Sequence, residues 1–207
     1  SKHPFWDWCA DNFNQTLVVP GNHELYKNFD INNLSDGWTL SIKSNVSAVY
    51  NKVLEIGDVD IILTTLWAKI HPADAYFVEH GVTDFRRIRN GEYLLSWDRF
   101  NDEHERCLNF IKHSIENSTA RKRLVVTHHV PSFELMAEEF KGSRINGAFT
   151  SDLNMLIEAS PIDYWIYGHS HRNIDSEIGG TKIVTNQLGY IFANENGTFQ
   201  PDKTIIL

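Results

Sequence analysis

Three apolar runs in this chain stop directly at nitrogen-bearing side chains. Leu17-Val-Val19 passes through Pro20-Gly21 into Asn22-His23-Glu24; Leu124-Val-Val-Thr127 passes into His128-His129; and Tyr164 to Tyr167 passes through Gly168 into His169-Ser170-His171. Imidazoles gathered with a carboxamide form a mixed nitrogen and oxygen donor set, which suits Mn, Fe or Zn better than Ca or Mg. Any one of these histidines alone is more simply a satisfied core or surface residue. Six residues placed by one grammar share no such packing reason. His3, His71, His80, His104 and His113 lack this placement and read as ordinary histidines.

Chemistry at the ends of apolar runs requires strands that deliver it. In α/β folds, ligands bind beyond the carboxyl ends of strands, where loops carry reactive groups on a rigid base. The three runs are therefore expected as strands with adjacent ends that open on one cleft. In Gly168-His-Ser-His, an extended backbone would turn both histidines to the same side, and Gly21 and Gly168 would let the chain pass close to a bound group. Ala48 to Ile56 and Asp60 to Leu66 are β-rich runs around a Gly57-Asp58 hairpin signal. Trp97 to Asn117 carries apolar residues at helical spacing, with Ser96 as its cap. Phe5 to Phe13 and Thr150 to Ala159 read as shorter helices, the latter capped by Thr150 or Ser151. Pro72 to Asn90 reads as irregular, Ser132 to Asn146 as a polar lid, and the C-terminal part as short β-segments broken by glycines. The alternation predicts an α/β fold with mixed sheets.

The bulk properties bound the partners. The 207 residues, 42% hydrophobic and 22% charged, form a core of ordinary size, and no linker or repeat divides the chain, so a single domain is expected over residues 1–207. A net charge of −8 opposes generic binding of nucleic acid or anionic membrane, so a long polynucleotide is a less fitting substrate than a small phosphorylated molecule. No apolar run is long enough to span a membrane. Cys9 and Cys107 match no CxxC pattern and read as reduced structural thiols, which places the expected location in the cytoplasm.

The blocks "GNHE", "VVTHHVPS" and "WIYGHSH", in this order, resemble the calcineurin-like metallophosphoesterases; "LWAKI", "DFRRIR" and "TNQLGY" are similar to a cytosolic bacterial and phage-type branch. The resemblance implies a four-layer α/β/β/α sandwich of two mixed sheets and a site for two divalent metal ions. It implies Asn22, His128 and His169 as ligands of one ion and His171 as a ligand of the other. His23 would face the phosphate and protonate the leaving oxygen, and Glu24 would steady its loop. His129 would support His128 or face substrate. Apart from the resemblance, the Arg86 guanidinium matches phosphate oxygens and would reach one, and Asn186, after the last strand on the metal side, would touch the cleft. The chemistry agrees: two divalent ions about 3.5–4 Å apart hold a bridging hydroxide and clamp phosphoryl oxygens for in-line attack on a phosphomonoester or phosphodiester.

The family's Asp-x-His and Gly-Asp blocks, which precede Gly-Asn-His and complete the first metal's ligands, have no counterpart before Gly21. Asp102-Glu-His104 and Gly57-Asp58 match them in letters but fall on a helix and in a hairpin turn. The expectation is a fragment with its first strand or strands missing. The rival reading is a non-catalytic or half-site metal-binding domain on the same scaffold. A β-lactamase-type hydrolase would require His-x-His-x-Asp-His, whereas Arg172-Asn173 follow His171.

Overall fold

The computed structural model describes residues 3–26 and 29–207. Helix α1 (Pro4–Asn12) opens with proline in its first turn, and the His3 ring accepts the Phe5 N–H (3.2 Å). It packs on a three-stranded sheet of β1 (Thr16–Val18), β2 (Thr39–Lys43) and β3 (Val46–Val49). The order is β1-β3-β2, with β1 an edge strand parallel to β3.

The run Ala48 to Ile56 is not one strand. It breaks at Asn51, whose positive φ of 44° turns the chain into a second sheet. An asparagine tolerates that conformation, and its side chain is held by Asp36 (2.7 Å) and Thr64 (2.5 Å). Strands β4 (Lys52–Ile56) and β5 (Val59–Thr64) then form the expected hairpin. The segment expected to be irregular contains α2 (Ala75–Gly81) and α3 (Asp84–Arg87), because Ala75, Val78, Val82, Phe85 and Ile88 recur at helical spacing and all are buried. A small hairpin of β6 (Arg89–Asn90) and β7 (Tyr93–Leu94) leads into α4 (Trp97–Asn117), which has the predicted bounds. Ser96 stands at the cap position, but its hydroxyl donates to Asp98 rather than capping the backbone.

The remaining elements are β8 (Lys122–Thr127), α5 (Asn154–Ala159), β9 (Tyr164–Ile166), β10 (Ser176–Ile178) and β11 (Thr181–Val184). Helix α5 starts later than expected: Thr150 and Ser151 pair with Val130, and Leu153 stands at the cap position. After β11 the chain forms short 3-10 turns at Ile191–Ala193 and Glu195–Thr198 rather than further strands.

The second sheet has the order β10-β11-β9-β8-β5-β4, with β5, β8, β9 and β11 parallel and antiparallel strands at both edges. Ile62, Val125, Trp165 and Ile183 stand opposite one another across four strands, all fully buried, in the core that includes Ile111 of α4 and Ile157 of α5. Leu63 and Leu124 point to the opposite face and are buried as well. The result is the expected α/β/β/α layering of two mixed sheets. The parallel neighbours β8 and β9 end at one edge, and the carboxyl end of β1 arrives there from the other sheet, so the three strand ends are not neighbours in a single sheet. A hydrogen bond from Thr65 Oγ1 to the Pro20 carbonyl (2.7 Å) ties the end of β1 to the end of β5.

Candidate metal and active site

The carboxyl ends of β1, β8 and β9 open on a cavity of about 730 Å³ lined by Asn22, His23, Glu24, His128, His169 and His171 among others. Gly21 is required for this meeting. A Cβ at that position would lie 2.7 Å from Nδ1 and 2.8 Å from Nε2 of His128, so the imidazole occupies the space that any other residue would fill. Asn22 to Leu25 form a 3-10 turn, closed by Glu24 Oε2 accepting the Gly21 N–H at 2.7 Å. The Gly168–His171 loop is not extended. His169 (φ 70°) and His171 (φ 51°) both adopt left-handed backbone, which costs about 1–3 kcal/mol per residue in strain. Gly168 itself would tolerate a Cβ, whose nearest neighbour lies 3.6 Å away. The strained loop is pinned by Gln187, which accepts the His171 N–H (2.7 Å) and donates to Ser170 (3.0 Å) and the Arg172 carbonyl (2.9 Å).

Three heteroatoms converge in the cavity. His128 Nε2 lies 3.0 Å from Asn22 Oδ1 and 2.9 Å from His169 Nδ1. A neutral imidazole nitrogen carries one proton or one lone pair, so His128 Nε2 cannot serve both contacts well. A divalent cation among them would accept three lone pairs at once, and the set fits one such ion. Among the described residues, no group of three or more His, Cys, Asp or Glu side chains is arranged around a common point, and here the third donor is a carboxamide. Burial, with His23 and His171 nearby, lowers the His128 pKa to about 3, and burial chiefly, then the neighbouring imidazoles, holds His169 well below the usual range. Both rings are thus neutral, the form that binds metal.

His171 stands apart from that trio. Its Nδ1 pairs with Glu195 Oε2 (2.9 Å), which leaves Nε2 as the donor. His23 borders the cavity on its exposed side, its ring 4.5 Å from the Tyr26 ring. His129 is fully buried, packs on Trp67, Phe100 and His169 (ring centroids 5.4, 5.9 and 4.4 Å), and is not among the residues that line the cavity. Arg86 does not line the cavity and donates to the His80 carbonyl (2.7 Å). Asn186 pairs with the Gln200 backbone (2.7 and 2.9 Å), and the adjacent Gln187 reaches the histidine loop instead. His104 is held against the Trp67 carbonyl (3.2 Å) inside α4, and Asp58 pairs with Arg121 (3.0 Å), so neither letter match contributes to the site.

Sequence reasoning missed Asp84, Tyr26 and Glu195. Asp84 Oδ1 accepts the Asn22 amide N–H (2.8 Å) and the Tyr26 hydroxyl, while its Oδ2 has no partner. Burial raises the Asp84 pKa, opposed by these two hydrogen bonds, and burial with the adjacent Asp84 also raises that of Tyr26, so the phenol stays a donor. The signal for Asp84 was a carboxylate set among Val82, Phe85 and Ile88, within a segment in which only the arginines had stood out.

The model of the calcineurin-like phosphoesterase family matches residues 4–173. The chain belongs to that family. An uncharacterized protein of Acanthamoeba polyphaga mimivirus is 27% identical to this chain over 214 residues, covering 95% of this chain and 75% of the viral one. Among solved structures, the phosphopantetheinyl hydrolase of Mycobacterium tuberculosis superposes with a TM-score of 0.58 at 15% identity, over 89% of this chain and 73% of that one, and so shares its fold. No helix among the described residues of the phosphoesterase is long and apolar enough to cross a membrane.

Proposed function

We propose that this chain is a metal-dependent phosphoesterase that hydrolyses a phosphomonoester or phosphodiester of a small molecule. The observation that carries this reading is the meeting of Asn22 Oδ1, His128 Nε2 and His169 Nδ1 in an open cavity. These three would hold one divalent ion, and His171, steadied by Glu195, would contribute to a second. Bound there, a divalent ion supplies Lewis-acid polarisation of the phosphoryl group and lowers the pKa of water.

The chain's own residues supply the rest. Asp84 and Glu195 orient Asn22 and His171, and the pinned Gly168–His171 loop keeps both of its imidazoles at the cavity. His23, at the solvent side, is placed to deliver a proton to the leaving alkoxide, the task for which an imidazole near neutral pH is suited. The net charge of −8 supports a small substrate over a polynucleotide.

A second reading has specific support. Three donors meet for one ion, while His171 is the one further imidazole expected to take part, which is the arrangement of a half-site that binds metal without turnover. One experiment separates the two. The full chain is stripped with chelator, reloaded with Mn²⁺, Fe²⁺ or Zn²⁺, and assayed for metal content and for hydrolysis of p-nitrophenyl phosphate and bis(p-nitrophenyl) phosphate. Hydrolysis that is lost with chelator and restored by metal supports the enzyme. Bound metal without hydrolysis leaves the half-site, and neither metal nor hydrolysis overturns both.

A further inference from the structure

The cavity is far larger than a phosphoryl group. Besides the imidazoles, its lining holds an apolar wall of Val82 of the α2–α3 connection, Val130, Leu135 and Met136 after β8, and Ile145 and Phe149, interrupted by Thr83, Ser143, Asn146 and Thr150. The ring of Phe149 stacks on His169 (centroids 4.9 Å, 27° between planes), so apolar wall and candidate metal ligand are in direct contact. Within Ser132 to Asn146, Leu135 and Met136 are buried, whereas Phe133 and Phe140 stay exposed.

Among the described residues, the lining offers no unpaired permanent positive charge. Among the described residues that line the cavity, Arg172 is the one with a permanent cation, and its Nε is held by Glu139 (2.9 Å) while Nη1 lies 3.9 Å from Glu195. Its guanidinium sits over the Phe140 ring (5.5 Å), which also lines the cavity. A second phosphate on the substrate would therefore meet paired charge and hydrocarbon, and burying it unpaired is costly.

We propose that the apolar wall binds the organic half of the substrate, and that the substrate is a phosphoester with one phosphoryl group on an uncharged, largely apolar alcohol. This rests on the phosphoesterase reading and narrows it. Nucleoside polyphosphates and oligonucleotides are the wrong class for such a wall, whereas an alkyl or flat uncharged body matches it.

The test uses the Mn²⁺-loaded full chain and a series of n-alkyl phosphates from ethyl to hexyl. Their leaving alkoxides are equally basic, so differences in kcat/KM report binding of the chain. The expected result is a rise of about three- to fourfold per added methylene, and 1,6-hexanediol bisphosphate at least tenfold poorer than hexyl phosphate. Ile145→Ser and Met136→Ser should flatten the series; the hexyl-to-ethyl ratio is independent of how much of either variant folds. A flat wild-type series, or a bisphosphate hydrolysed as well as hexyl phosphate, overturns the proposal. Should no ester be hydrolysed, calorimetry with n-alkylphosphonates in Mn²⁺ decides separately. Affinity that grows with chain length keeps the apolar site and removes the phosphoesterase reading, while affinity that does not grow removes the apolar site as well.

Discussion

The buried carboxylate of Asp84 decides which end of the Asn22 side chain faces the histidines. Oδ1 of Asp84 takes the amide N–H at 2.8 Å, so the carbonyl oxygen of Asn22 is turned to His128 Nε2 at 3.0 Å. Were Asp84 protonated, the proton would sit on the unpartnered Oδ2 and Oδ1 would still accept. A carboxamide free to rotate would offer its NH₂ group half the time, and an NH₂ group cannot bind a cation. Asp84→Ala should therefore weaken Mn²⁺ binding about 10- to 100-fold, the range for groups that orient a metal ligand. Tyr26→Phe removes the other donor to Asp84 and a longer acceptor of the Asn22 amide (3.3 Å), but leaves the 2.8 Å bond to Asp84, so its effect should be smaller. Calorimetric Mn²⁺ titration of both variants checks this, and wild-type affinity in Asp84→Ala would dismiss the orienting role.

Gly21 makes a prediction of steric origin. Because a methyl group there would overlap the His128 ring, Gly21→Ala must displace that imidazole from Asn22 and His169. Crowding of this kind costs about 1–3 kcal/mol, and the metal site should lose affinity along with stability. Gly168→Ala, which meets ordinary contacts only, is the matched control and should change neither strongly. Urea unfolding with and without Mn²⁺ reads both effects. Equal behaviour of the two variants would contradict the close approach at Gly21.

How much of this was legible in the sequence depends on which interactions are local. Helix α4 was legible to the residue because Phe100, His104, Cys107, Leu108, Ile111 and Ile115 bury one face at helical spacing. The strand-end histidines were legible because an apolar run that stops at imidazole has few packing explanations. The groups that steer them were not. Asp84 lies 62 positions from Asn22 and Glu195 lies 24 from His171, and nothing in either local pattern reports a contact made only by the tertiary fold. The left-handed backbone of His169 and His171 was hidden for a related reason: few histidines adopt it, and Gln187, which holds the His171 N–H, lies 16 positions away. The break at Asn51 was missed because the β-prone residues Val49, Tyr50, Val53, Leu54 and Ile56 flank it on both sides, although asparagine is itself a residue that tolerates such a turn.

His23 and His169 differ in what they should do when removed. His169 Nδ1 belongs to the converging trio, whereas His23 lies at the exposed side with its ring on Tyr26. His169→Ala should lower both metal content and turnover. His23→Ala should leave metal content nearly intact and lower turnover about 10²- to 10⁴-fold, the usual contribution of a positioned proton donor. The loss should be smaller with p-nitrophenyl esters, whose leaving group needs little protonation, than with alkyl esters. Elemental analysis on the purified variants, alongside both assays, tests the division. A metal-free His23→Ala protein would make His23 a ligand instead.

The buried imidazoles also set how the metal-free protein responds to acid. His128 stays neutral in the folded chain down to about pH 3, and His129 and His169 are likewise held well below the ordinary value of 6.5. Once unfolded, each takes up a proton as the pH falls through about 6.5. The unfolded state thus binds more protons, and the stability these groups contribute is complete above pH 6.5 and is lost progressively from there toward pH 3. Each such proton steepens the loss by about 1.4 kcal/mol per pH unit. In chelator-treated protein the urea midpoint should fall steadily between pH 6.5 and 4.5. His128→Asn should lessen the slope by nearly one proton, and saturating Mn²⁺ at pH 6.5 should raise the midpoint by binding the folded form alone. A midpoint independent of pH across this range would mean that these rings are already protonated, or solvated, in the folded chain.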